Sequence, residues 1–174
     1  MAKKDLLVIE MNNKEDMECF NFREKLKIAQ KPYDYFKEIE NLNFDQLASS
    51  DRIFLQDFGI YNNELNDEEF MLRLRFPAGR ISNNSLILIS NLAQKYNLQI
   101  ILTARAGIQL HGLDSNNILE VFNQINSQNI SSYQSFGDNI RNITSDIFDG
   151  IGVYNIIEVF PYIEQMQSYI LNHP

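Results

Sequence analysis

Arginine is the side chain best suited to gripping planar anions, because its fixed fork of N–H donors matches a carboxylate or an oxyanion bidentately. Arg73, Arg75, Arg80 and Arg105, with Lys95, lie in a stretch that contains no acid between Glu69 and Asp114. The stretch is 44 residues long, and 23 acids in 174 residues would place about 6 there. It carries a local charge of +5 inside a chain of net charge −8. A buried core segment that lacks acids by chance would look the same. The functional reading is a site for a polyanion that tolerates no carboxylate nearby. Gln109 and His111 alternate in the same stretch, and Arg141 follows between Asn139 and Asn142.

Composition narrows the classes. At 44% hydrophobic and 22% charged, the chain is an ordinary globular protein. It has no run of about 18 apolar residues, so no transmembrane helix is expected, and the N-terminus turns polar too soon for a secretory signal. The expected compartment is the cytoplasm, with no membrane partner. The single cysteine, Cys19, excludes an internal disulfide framework. It also excludes a zinc ribbon or an iron–sulfur cluster held by this chain alone, and no metal ligands are assigned. The acidic total argues against nucleic acid as a partner.

The elements that must position these arginines can be read from periodicity. Residues 70–76 alternate, with Phe70, Leu72, Leu74 and Phe76 on one side and Met71, Arg73 and Arg75 on the other. Two guanidinium groups would then share one face of a strand, roughly 7 Å apart at the backbone. Pro77-Ala78-Gly79 breaks that strand. Ser82 can cap a helix carrying Leu86, Ile89, Leu92, Ala93 and Tyr96, which Asn97 can end. Residues 98–103 read as a strand, 104–107 as a turn, and 108–112 as a strand with Gln109 and His111 on one face. Asp114 or Ser115 can cap a second helix with Ile118, Phe122 and Ile125 inward. Residues 131–136 are expected to form a fourth strand. Upstream, 32–47 reads as a helix, 52–61 as a strand that turns, and 62–69 as a polar loop. Pro161 opens a C-terminal helix with apolar Tyr162, Met166, Tyr169 and Ile170. The predicted order β-α-β-β-α-β is an α+β, ferredoxin-like split motif with extra N-terminal and C-terminal helices.

Three segments, FMLRLRFPAGRIS (70–82), LTARAGIQLHGL (102–113) and GDNIRNIT (137–144), carry a family resemblance. In this order and spacing they resemble the N-terminal half of the sirohaem-dependent nitrite/sulfite reductases. The resemblance implies a six-electron reduction of sulfite to sulfide or nitrite to ammonia, with sirohaem and a [4Fe–4S] cluster in the complete enzyme. It implies that Arg73 and Arg105 contact sirohaem or its substrate side. Arg141 is implied as another active-site arginine, with Asn139 and Asn142 supplying neutral hydrogen bonds. Gln109 and His111 would lie by the macrocycle, and Arg75 would belong to the cofactor site less directly. Catalytic roles fall on Arg73 and Arg141. The plain alternatives are surface ion pairs for Arg73 and Arg75, a hydrogen-bonded structural role for His111, and loop anchoring for Arg141.

The sequence also departs from that family. Its four cluster cysteines and its pair of active-site lysines are absent, and its second glycine after proline is Ala78 here. The expected organisation is a 1–61 extension, a 62–136 ferredoxin-like half-domain, and 137–174 as a sirohaem-facing loop and helix that begin a truncated sirohaem domain. Neither cofactor is expected to be held by this chain alone, which should be inactive without its partners. Those partners are the C-terminal half of the reductase, a small anionic substrate and an electron donor. Two alternatives stay open at this point: a precorrin-3B synthase-like half, and a non-catalytic ferredoxin-like module that binds an anion or a partner.

Overall fold

Asn21 and Glu24 cap one another: the Asn21 N–H donates to Glu24 Oε2 at 2.7 Å and the Glu24 N–H to Asn21 Oδ1 at 3.0 Å. This reciprocal cap opens helix α1 (Phe22–Ala29). The computed structural model describes residues 21–29, 35–63, 66–135 and 140–172. The chain divides into two units, 1–38 and 39–174. The helix expected over 32–47 lies partly outside the described residues. Within them Tyr35 is α-helical and a 3-10 helix, Phe36–Asn41, follows.

The expected strand over 52–61 is instead helix α2 (Ser49–Asp57), followed by strand β1 (Ile60–Asn63). The Asp51 carboxylate in its first turn accepts from the Ala48 N–H at 3.1 Å. Phe54, Leu55 and Phe58 are all buried. That i, i+1, i+4 spacing is helical, and a short apolar run does not distinguish it from a strand. The polar residues 62–69 are also not wholly a loop, because strand β2 (Asn66–Leu74) already starts at Asn66. Ile60 pairs with Leu72, Tyr61 with Met71 and Asn62 with Phe70. Main-chain pairing of this kind is indifferent to side-chain polarity.

Beyond β2, a turn at Pro77–Gly79 leads to helix α3 (Asn83–Tyr96). The Ser82 hydroxyl accepts from the Ser85 N–H, and Asn97 ends the helix in the left-handed region (φ 54°), both as expected. Ile89 and Leu92 are buried, but Leu86 is 51% exposed, so the inward stripe is narrower than the spacing suggested. Strands β3 (Gln99–Leu102) and β4 (Ile108–Leu113) follow. The Asp114 carboxylate accepts from the N–H groups of Asn116 and Asn117 and so prepares helix α4 (Ile118–Ser127). Ile118, Val121, Phe122 and Ile125 are its buried side.

The sheet is antiparallel, in the order β1-β2-β4-β3. Leu72 faces Leu110 and Leu74 faces Ile108, and all four are buried. Burial of each such side chain is worth about 1.5–3 kcal/mol. Gly112, at φ 87°, sits where the register slips and lets Leu113 as well as Leu110 turn inward. This is an α+β, ferredoxin-like arrangement, but residues 131–135 do not supply its fourth strand. Gln134 is left-handed (φ 54°), which breaks an extended run, and β1 already pairs with Phe70, Met71 and Leu72 of β2. Residues 131–135 instead pass the far end of β2, where the Arg75 N–H donates to the Ser131 carbonyl at 2.8 Å.

The C-terminal helix α5 (Phe160–Asn172) has Pro161 in its first turn, as expected. The Asp149 carboxylate accepts from the Val159 and Phe160 N–H groups at 2.8 and 2.9 Å. Its inward residues are Ile163 and Gln167, whereas Tyr162, Met166 and Tyr169 are exposed. Among the described residues no helix is long and apolar enough to cross a membrane.

Candidate functional site

On the outer face of the sheet, Arg73 of β2 lies directly opposite Gln109 of β4. In the amide orientation that satisfies both neighbours, Gln109 Oε1 accepts from Arg73 Nε at 3.0 Å and from Arg73 Nη2. The Gln109 amide nitrogen then donates to His111 Nε2 at 3.0 Å. His111 Nε2 is the acceptor in this arrangement, so the neutral ring carries its proton on Nδ1. Arg73, Gln109 and His111 thus form one row, and the alternation of the strands placed them there.

Arg105 comes from the β3–β4 turn. That turn is tight because the Thr103 N–H donates to the Gly107 carbonyl at 2.9 Å and the Gly107 N–H donates to Thr103 Oγ1 at 3.1 Å. Arg141 comes from residues 140–143, which lie against both β2 and the turn. Asn142 Nδ2 donates to the carbonyls of Phe76 (2.7 Å) and Arg105 (2.8 Å), and the Ala78 N–H donates to the Ile143 carbonyl (2.8 Å). Arg73, Arg105, Arg141, Asn142, Thr103 and Ser135 meet around a cavity of about 340 Å³, which Arg75 also lines, and no acid among the described residues lines it. Burial holds the Arg73 guanidinium below its ordinary pKa, and the nearby positive charges of Arg141 and Arg105 add to the effect. Three like charges converging there form a focus of positive potential.

The other cations of the acid-free stretch have partners of their own. Lys95 pairs with Glu120 at 2.8 Å. Arg80 pairs with Glu158 at 3.0 Å and Asp149 at 3.3 Å, and stacks 4.2 Å from the centre of the Phe160 ring. Arg75 is 2% exposed. Its Nη1 donates to the carbonyls of Ile140 (2.8 Å) and Gln134 (3.2 Å), and its Nη2 to that of Arg141 (2.9 Å). Burial pushes the Arg75 guanidinium down to about 10. Asn139 and Cys19 lie outside the described residues. Sequence reasoning did not single out Thr103 and Ser135, although Thr103 stands two residues before Arg105 in the same motif. Among the described residues no group of three His, Cys, Asp or Glu could hold a metal ion.

The turn below the site carries a local strain. Ala78 has φ 55°, a left-handed conformation that costs a non-glycine residue roughly 1–2 kcal/mol. Part of the gain from glycine would be offset by its freer unfolded chain, about 0.4–1 kcal/mol. Ala78→Gly is therefore expected to stabilise the chain by about 0.5–1 kcal/mol, read as a higher urea midpoint at unchanged slope. A lower midpoint would show that this turn is not strained.

The nitrite/sulfite reductase ferredoxin-like half domain matches over residues 63–128. The ferredoxin–nitrite reductase of Leptolyngbya laminosa is 27% identical over 158 residues, covering 86% of this chain and 31% of that protein. The NADPH sulfite reductase hemoprotein beta-component of Paenibacillus is 32% identical over 97 residues, covering 52% of this chain and 17% of that protein. The Mycobacterium tuberculosis NirA protein has the same fold, with a TM-score of 0.77 at 21% identity over 89% of this chain and 33% of its own. The chain spans about a third of the length of the Leptolyngbya relative. Over residues 63–128 the chain is thus similar to the ferredoxin-like half domain of the nitrite/sulfite reductases.

Proposed function

We propose that the cavity between Arg73, Arg105 and Arg141 is the anion site of a sirohaem-dependent nitrite or sulfite reductase, to which this chain contributes the N-terminal part. The observation that carries this reading is the convergence of three guanidinium groups around a cavity with no acid in its lining among the described residues. The donor set fits the carboxylate-bearing edge of a sirohaem. It does not fit a [4Fe–4S] cluster, since the chain has one cysteine where a cluster takes about four.

When bound, sirohaem supplies the electron chemistry. The residues of this chain bind and orient. Arg105 and Arg141 present N–H donors to the negative oxygens, and Gln109 holds the Arg73 guanidinium. Donors set in advance around such an oxygen stabilise charge that develops there during reduction. The C-terminal half of the reductase would complete the site, and the names of the relatives suggest ferredoxin as a first electron donor to try.

Titration of the 174-residue chain with sulfate tests the anion site. Binding is expected with a Kd on the order of 1 mM or tighter, weakening as sodium chloride rises and raising the thermal midpoint by mass action. No saturable binding at low ionic strength would remove the anion-site reading and leave a plain ferredoxin-like module. A dithionite and methyl viologen assay of the chain alone should show no reduction of nitrite or sulfite. Turnover by the purified chain would contradict the proposed need for the C-terminal half.

A further inference from the structure

Arg75 is the most deeply buried cation among the described residues, and its own backbone is pinned by the bond from its N–H to the Ser131 carbonyl. Its guanidinium grips two points of the chain: the Gln134 carbonyl on one side, and the Ile140 and Arg141 carbonyls on the other. A lysine ammonium could not span these acceptors in the same geometry, because only guanidinium offers a planar fork. An apolar side chain would fill the space without the cost of burying a charge, so packing alone does not account for arginine here. The one consequence special to this position is where Arg141 ends up.

We propose that Arg75 is a positioning residue. By holding the carbonyls of Ile140 and Arg141, it sets the Arg141 side chain against Arg73 and Arg105. Its Nη groups are engaged with the carbonyls of Gln134, Ile140 and Arg141, so although it also lines the cavity it acts on the anion through Arg141. This assignment rests on the reading of the cavity as an anion site. Asn142 completes the arrangement from the other side by joining the loop to the Arg105 carbonyl.

The test uses the 174-residue chain with sulfate as probe, and the variants Arg75→Met, Arg75→Lys, Arg141→Met and the double variant Arg75→Met/Arg141→Met. Arg75→Met is expected to weaken sulfate binding about tenfold, in line with the loss of one charged hydrogen bond made by a misplaced Arg141. In the Arg141→Met background the same change should cost less than twofold, because there is no longer a side chain to place. Arg75→Lys keeps the charge but not the fork, and is expected to remain as weak as Arg75→Met. Unchanged affinity in Arg75→Met overturns the proposal. So does an equal loss in both backgrounds, which would mean that Arg75 acts by its charge alone.

Failure of the wild-type chain to bind sulfate would count against the anion site, not against this placement. The placement is then judged without ligand. In Arg75→Lys the amide hydrogens of residues 141–143 should exchange at least about tenfold faster while those of β2 and β4 hold their rates. Unchanged exchange at the loop overturns it. If neither Arg75 variant folds, side-chain nitrogen NMR of the wild-type chain decides. Rotation about the Arg75 Cζ–Nη bonds should be slower than in free arginine in the same buffer, and equal rates would mean the carbonyls are not held.

Discussion

Arg73→Met is expected to weaken sulfate binding by about tenfold to a hundredfold and still leave the chain no less stable. The first part follows from removing charge-assisted hydrogen bonds, each worth about 1.5–3 kcal/mol, with 1.4 kcal/mol per decade of affinity. The second part follows from the sign of the Arg73 shift. Burial, then Arg141 and Arg105, hold its pKa below the ordinary value. A base with a lowered folded pKa binds its proton more tightly when unfolded, so its charge opposes folding at every pH below that pKa. Removing the charge removes that opposition. The thermal midpoint should hold or rise in low salt, and any rise should shrink in about 1 M salt, where the Debye length is near 3 Å. Isothermal titration and thermal melts check both parts. Intact affinity combined with a falling midpoint would make Arg73 a structural side chain of the sheet.

Gly59→Ala is expected to be the most damaging of the small substitutions. Gly59 has φ 79°, and a Cβ there would stand 2.6 Å from the Arg73 carbonyl, 2.7 Å from the Ser132 carbonyl and against Ser135 Oγ. Two of those contacts are backbone, which cannot swing aside. The left-handed conformation costs about 1–2 kcal/mol and the overlap about 1–3 kcal/mol more, or about 3 kcal/mol together. For a chain of this size that corresponds to a midpoint lower by roughly 10 °C. The effect should also reach the site. The Gly59 carbonyl accepts from the Arg73 N–H at 2.8 Å, and Ser135 Oγ donates to the Arg73 carbonyl at 2.8 Å. Sulfate affinity should fall with stability, while Ala78→Gly, in the turn beyond β2, should leave it unchanged. A melting midpoint for Gly59→Ala within about 2 °C of wild type would show that the backbone yields there.

The parts that were legible in advance share one property: their cause is local. Ser82 and Asn97 bound α3 because a hydroxyl and a left-handed asparagine act within four residues. The alternation of 70–76 puts Arg73 on the outer face because successive residues in a strand point opposite ways. The α2 segment was misread because a short apolar run fits either period. Residues 131–135 looked like a strand, yet whether an extended segment joins a sheet depends on which edge is free, and β1 had taken part of it.

By itself the sequence determined the α+β class, the two main helices with the stop of the first, the outward row of Arg73, Gln109 and His111, and the family resemblance of three motifs. Only the tertiary structure decided which cations make the site. Arg75, Arg80, Lys95 and Arg105 are equivalent as residues of an acid-free stretch, and nothing within a few positions tells them apart. Folding brings Glu120 to Lys95, Asp149 and Glu158 to Arg80, and three loop carbonyls to Arg75. It leaves Arg73 and Arg105 to meet Arg141 around the cavity. The physical reason is that a charge is assigned its role by whatever partner desolvates or neutralises it, and here those partners lie 25 to 78 residues away along the chain.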